Sequence, residues 1–395
     1  MKNITLIITG SLIIISLALI ACHSPAGISG KLSGTAKENL TVYLIQPEGL
    51  WDVAASYFGS VIDSAEVKTD GSFEFNKLPE TSDPVLLEIA IGIPGKEPNY
   101  LQSDNAVKSN FFPLVWRSGE SLYITAKADA FQRSFSLKQP SEMNKALLHL
   151  RDINQKAFQR YLAGKSWDVE DGRELMAQEK AALEYQRDLI AFADSTDYFI
   201  PAMVALRWVS PESDYERVPE FLVRQSEKWQ RTHQDHPWLK QLQKASKPGS
   251  LPVLIGDVFP DPVIPLITKD TIFLHDTLGE KLTIIDLWAS WCAPCRLENR
   301  EALGPLWETY HEQGLQIIAY GLESDETSWL KATERDRADR WVQASDLQGD
   351  DAYFLKRIRV QTIQANFILD ENGKVLAKNV HGKALMDTVS YYMEN

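Results

Sequence analysis

The chain has 395 residues, 44% of them hydrophobic and 10% aromatic, and a formal net charge of −13. That length supports two or three domains with separate cores, and the composition is that of a globular protein rather than a disordered one. The acidic balance, with no basic run interleaved with aromatics, excludes the phosphate backbone of a nucleic acid as a partner.

In chain order, Lys2 precedes the apolar run ITLIITGSLIIISLALIA, and LIAC ends it at Cys22. A short basic region, an apolar stretch and a small residue before the cut make a secretory signal over residues 1–21. The run is close to membrane-spanning length, so an uncleaved anchor is the alternative. LIAC resembles the lipobox of bacterial lipoproteins, which implies acylation of Cys22 and a protein held to a bacterial membrane, facing the periplasm.

Residues 22–138 read as a small antiparallel β domain. LTVYLI, VIDSAEVKTDGSFEF, VLLEIAI and SLYITAKA are short alternating or β-rich runs parted by turn residues. The Asp70-Gly71 pair predicts a hairpin within the second of them. Residues 139–247 change period: Leu147, Leu150, Ile153, Ala157 and Leu162 recur at helical spacing, as do Leu183, Leu189, Ile190 and Phe192. This predicts a helical spacer, with further helices over 200–208 and 218–232. KPGSLP marks a linker at 247–252.

Residues 248–395 mix strands and helices. KLTIIDLWA is a near-continuous apolar strand of the kind buried on both faces, and a helix follows from Pro294 towards Tyr310. LQIIAYGLE predicts a second buried strand and residues 325–338 a second helix. ANFILDENGKVLAKN predicts a hairpin turned at Asn372-Gly373, before a last helix over 382–395.

With Cys22 assigned to lipid, two cysteines remain, Cys292 and Cys295 in WCAPC. In an exported, oxidising compartment any disulfide chemistry within the monomer belongs to that pair. Cysteines at i and i+3, the first just before a helix, put one sulfur beside unsatisfied backbone N–H groups, which favour thiolate. Cys292 suits a nucleophile, and Cys295, one turn further in, suits attack on the resulting mixed disulfide. Pro294 fits the first helical turn, where its missing donor costs nothing. A carboxylate in an apolar strand is costly, so Asp286 is expected to have a raised pKa or a proton-transfer duty, a strand-end cap being the plainer alternative.

DLWASWCAPCRLE, with IGDVFPDPVIPL before it and NFILDENGKVLAKNVHG after it, resembles the TlpA/ResA branch of thioredoxin-like thiol–disulfide oxidoreductases. The order strand, helix, strand, helix, hairpin, helix is that of thioredoxin. The likeness runs from about residue 252 to the C-terminus, and the β runs before it resemble the N-terminal domain of exported thioredoxin-like lipoproteins. The resemblance implies an α/β thioredoxin fold and a redox-active Cys292–Cys295 disulfide. It also implies proton shuttling by Asp286, tuning of the thiols by Glu298, and substrate contacts from Trp291, Ala293, Pro294, Gln364 and Ala365. Disulfide-bearing envelope proteins would be substrates and a thiol the electron donor, with no cofactor or metal; cytochrome c maturation is the family's best-known work. Trp288 and Trp291 are expected to pack around the site.

Two departures stand out. Gln364 occupies the place of the family's cis-proline, and a cis bond without proline costs about 3–4 kcal/mol, which favours a trans peptide here. Arg300 replaces a helix proline and is expected only to straighten that helix. Metal readings lack ligands: zinc wants four, no second CxxC exists, and a copper chaperone using His381 would space its cysteines differently. The alternative of another class is a catalytically weak thioredoxin-like module that binds an envelope partner or glycan.

Overall fold

The computed structural model describes residues 26–34, 40–103, 105–168, 171–361 and 363–395. The signal segment and Cys22 lie outside the described residues. Seven strands open the chain: β1 (Gly27–Ser33), β2 (Thr41–Gln46), β3 (Ser60–Glu66), β4 (Ser72–Glu74), β5 (Val85–Ile91), β6 (Phe111–Trp116) and β7 (Ser121–Lys127). A short helix α1 (Phe131–Ser134) and strand β8 (Ser136–Leu137) follow. They form two four-stranded sheets, of order β4-β1-β7-β8 and β3-β2-β5-β6. Pairing is antiparallel except between β1 and β7, which run parallel from Gly27 beside Ser121 to Ser33 beside Lys127.

The hairpin expected at Asp70-Gly71 does not form. β3 pairs with β2 and β4 with β1, so the turn carries the chain from one sheet to the other. Gly71 has φ 85°, and a Cβ there would lie 2.1 Å from the Leu32 carbonyl oxygen. The Asp-Gly signal thus marks a close approach to β1 as well as a turn.

Five helices come next: α2 (Glu142–Tyr161), α3 (Gly172–Ser195), α4 (Phe199–Val209), α5 (Pro219–Gln230) and α6 (Pro237–Ala245). Leu147, Leu150 and Ala157 lie on the buried face of α2, and α4 is buried along its whole length, in keeping with a sequence that is apolar except for Arg207. One continuous core runs from Ile28 and Val42 of the sheets through Leu147, Leu189 and Val204 of the helices to Leu251.

The last part is built on a five-stranded sheet preceded by the two-stranded β9 (Val263–Pro265) and β10 (Thr271–Phe273). Its elements are β11 (Leu282–Trp288), α7 (Ala293–Glu298), α8 (Gly304–Tyr310), β12 (Leu315–Gly321), α9 (Glu326–Arg335), β13 (Val342–Ala344), α10 (Tyr353–Ile358), β14 (Ala365–Asp370), β15 (Val375–Lys378) and α11 (Gly382–Glu394). The strand order is β13-β12-β11-β14-β15, with β12 parallel to β11 and β14 antiparallel to it. All of β11 is buried, which explains its near-continuous apolar run. Alternation sends Ile284 and Trp288 into one core, shared with both cysteines, and Ile285 and Leu287 into the other. This is the thioredoxin-like α/β arrangement, and the Asn372-Gly373 hairpin closes it as expected.

Two local expectations are corrected. The helix after Pro294 is not straight: a wide π turn at Asn299–Leu303 joins α7 to α8. It accommodates Pro305, which has no N–H to return to residue 301. The peptide between Ile363 and Gln364 is cis despite the absence of proline. There the Gln364 side chain is buried and donates to Glu298.

One acid of the sandwich titrates far from its usual range. Glu88 of β5 is buried; its Oε1 accepts from the Ala54 N–H at 2.7 Å, and Oε2 has no partner among the described residues. Burial pushes this carboxyl up to about 8, against the Ala54 bond and the Arg207 charge, which pull it down. The folded chain therefore keeps a proton that the unfolded chain loses near 4.5. The contribution to stability is full below that value and is lost as pH rises towards about 8. Glu88→Gln should flatten that slope by up to ~1.4 kcal/mol per pH unit, read by denaturant unfolding from pH 5 to 8; an unchanged slope in the variant contradicts the assignment.

Candidate functional site

β11 ends at Trp288, and four residues later Cys292 caps the N-terminus of α7. The turn between is held from β12: Glu323, just past that strand, accepts from both the N–H and the hydroxyl of Ser290. Pro294 lies in the first turn of α7. Cys292 and Cys295 are joined in a disulfide with their Cα atoms 5.3 Å apart. The Cys295 N–H points at the Cys292 sulfur at 3.3 Å. Both residues are buried, Cys292 at 5% exposure and Cys295 at 1%.

Asp286 lies mid-strand in β11, on the Ile284 and Trp288 face that packs against the cysteines, and is buried. It is not a strand-end cap. Its Oδ2 has no hydrogen-bond partner among the described residues. Burial first, and then the Glu298 charge, hold its carboxyl well above the usual range. The proton is therefore retained where an exposed aspartate has lost it.

Glu298, at the end of α7, is buried rather than solvated. The Gln364 amide donates to its Oε2, and His381 Nδ1 lies 2.9 Å from the same oxygen. The Gly382 N–H donates to Oε1 at 2.9 Å. The turn carrying His381 is fixed by Asn366, which donates to the Val380 carbonyl and accepts from the Val380 N–H at 3.0 Å. Asn366 pairs across the sheet with Asp286, and Ala365 with Leu287. The Gln364 peptide is thereby set beside the end of β11.

The structure thus brings together Cys292, Cys295, Asp286, Glu298, Gln364 and Ala365, the last two buried. Ala293 is exposed and Pro294 half-buried. Trp288 packs fully, but Trp291 does not pack as expected: it stands 61% exposed beside the disulfide.

Sequence reading missed three contributors. His381 was weighed only as a metal ligand. Glu323 could have been found, because the ends of adjacent parallel strands lie side by side and it directly follows the strand next to β11. Gly172 carried no signal at all. This first residue of α3 sits against the backbone of the CxxC loop, where a Cβ would come within 2.7 Å of the Pro294 nitrogen and 2.8 Å of the Ala293 carbonyl carbon. Arg173 beside it pairs with Glu301, just after α7.

Residues 255–391 match the Redoxin family. The thiol-disulfide oxidoreductase ResA of Bacillus cereus is 27% identical over 145 residues, 35% of this chain and 77% of that protein. The thiol:disulfide interchange protein DsbE of Pseudomonas fluorescens is 29% identical over 85 residues, 21% of this chain and 45% of that protein. Among solved structures, the thioredoxin domain of a thiol-disulfide oxidoreductase from Bacteroides vulgatus is 26% identical, with 36% of this chain and 99% of that one covered, at a TM-score of 0.33.

The close seat of α3 is testable. Gly172→Val should destabilise the protein by about 1–3 kcal/mol, since the added atoms meet backbone on a loop that the Cys292–Cys295 disulfide and Glu323 hold in place. Denaturant unfolding measures it, and an unchanged midpoint shows that α3 does not rest on the loop.

Proposed function

From the premise that this chain belongs to the TlpA/ResA-like branch of the thioredoxin family and is a thiol–disulfide oxidoreductase, we propose that it reduces disulfides of envelope proteins by dithiol exchange at Cys292 and Cys295. The observation that carries this reading is the asymmetry of the pair. Cys292 sits at the helix start with the Cys295 N–H pointing at its sulfur, Cys295 lies a turn further in and is the less exposed, and a protonated carboxyl lies on the strand face that packs against both.

In the reduced protein the Cys292 thiolate, favoured by the Cys295 N–H and the other free donors of the helix start, attacks the nearer sulfur of a substrate disulfide. The substrate bond breaks, and its second sulfur leaves as a thiolate that takes a proton from water. Asp286 releases its proton to solvent once the mixed disulfide has formed; as a carboxylate it takes the proton of Cys295, which attacks the Cys292 sulfur, forming the intramolecular disulfide and releasing the first substrate sulfur as thiolate. Two electrons pass to the substrate. A dithiol donor must return them for the next cycle.

Gln364 and Ala365 would flank the substrate backbone, and Trp291, Ala293 and Pro294 its side chains. Glu298 acts through its hold on Gln364 and through its charge on Asp286. Acylated Cys22 would tether the protein to the membrane, facing the periplasm; among the described residues no helix is long and apolar enough to cross one. Apocytochrome c, whose haem-binding cysteines must be reduced, is the first substrate to test.

Two experiments follow. Cys295→Ser should trap mixed disulfides on Cys292 in the cell envelope; recovery of none would favour the weak binding module. Asp286→Asn should slow the second exchange step by about 10²-fold or more, leaving the first attack less affected. Quenched-flow trapping separates the two steps, and equal rates in variant and wild type would remove Asp286 from the proton path.

A further inference from the structure

The approach to Cys292 is not open on all sides. The first turn of α3 backs the Ala293–Pro294 peptide, and Gln364 and Ala365 are buried. What remains exposed is Trp291 with Ala293. From Trp291, two adjoining cavities of about 360 and 500 Å³ run to α9, sharing Ser290, Trp291, Arg296 and Arg335. Lys331 lines one and Arg300 the other.

The charge of this cleft runs against that of the chain, whose net charge is −13. Asp336 is the acid among its lining residues, and it is buried with its carboxylate engaged: Oδ1 accepts from Arg296 at 2.8 Å and from Arg300 at 2.7 Å. Glu323 lies behind the cleft and is spent on Ser290. Lys331 and Arg335, one turn apart on α9, are exposed. The cleft therefore presents an excess of positive charge beside an exposed indole, a surface that steers and holds an acidic segment.

We propose that the substrate chain reaches Cys292 along this cleft and that the disulfide it presents is flanked by acidic residues. The proposal rests on the exchange at Cys292 described above and adds no reactant to it: the same substrate S–S bond breaks and the same two electrons are transferred.

The test uses the full chain, pre-reduced and freed of reductant, with three substrates. Two are peptides of one length closed by a disulfide, flanked by glutamates in one and by lysines in the other. The third is the uncharged hydroxyethyl disulfide. The glutamate peptide should react about tenfold faster than the lysine peptide at low ionic strength, and the ratio should fall towards one at about 0.5 M salt. In the double variant Lys331→Glu, Arg335→Glu that ratio should invert. Because it is a ratio within one protein, a general loss of activity cancels from it. Equal rates for the two peptides while hydroxyethyl disulfide is consumed would overturn the proposal and leave the exchange standing, as would a preference that survives the double variant. Failure to consume any of the three would overturn the exchange and the proposal together.

Discussion

Glu298 ties the helix that bears the dithiol to the two loops that wall it. One of its oxygens takes the Gln364 amide and lies against His381, and the other takes the Gly382 backbone donor. The helix end, the peptide entering β14 and the turn entering α11 are thereby fixed to a single buried carboxylate. A charge removed from water is costly unless such donors surround it. Glu298 has them, whereas the Asp286 Oδ2 has none among the described residues, and Asp286 keeps its proton.

That difference gives the two acids different work. They share the low-dielectric interior below the disulfide, where two negative charges repel strongly. Asp286 rises because it is buried and because Glu298 lies near. A carboxyl held neutral in this way must first release its own proton before it can take one from a thiol.

The N-terminal two thirds of the chain bear on the same site from outside. Sheets and helices share one core, and that body is fastened to the redox domain by ions and backbone donors. Lys378 pairs with Glu220 at 2.8 Å, Arg217 donates to Asn379 at 3.0 Å, and the Gln361 N–H donates to Glu216 at 2.8 Å. The Lys378 side chain is nearly excluded from solvent, where a pair is costly to break by removing one partner. A body so fixed holds α3 against the CxxC loop and leaves the Trp291 side as the open approach.

Local pattern by itself determined much of this protein. The near-continuous apolar run of β11, the helix start at WCAPC, the Asn372-Gly373 hairpin and the helical period of α2 to α5 were all legible, because each depends on neighbours within a turn or a strand. So was the cost of burying Asp286. What only the tertiary structure decided are pairings between distant residues: β1 beside β7, the crossing at Asp70-Gly71, the cis peptide at Gln364, His381 on Glu298, and Gly172 on Pro294. Turn chemistry states that a chain reverses but not which strand it then meets, and a glycine in a helix start looks the same whether solvent or a catalytic loop lies beside it. Those choices were made by which buried faces and charges had to be satisfied together.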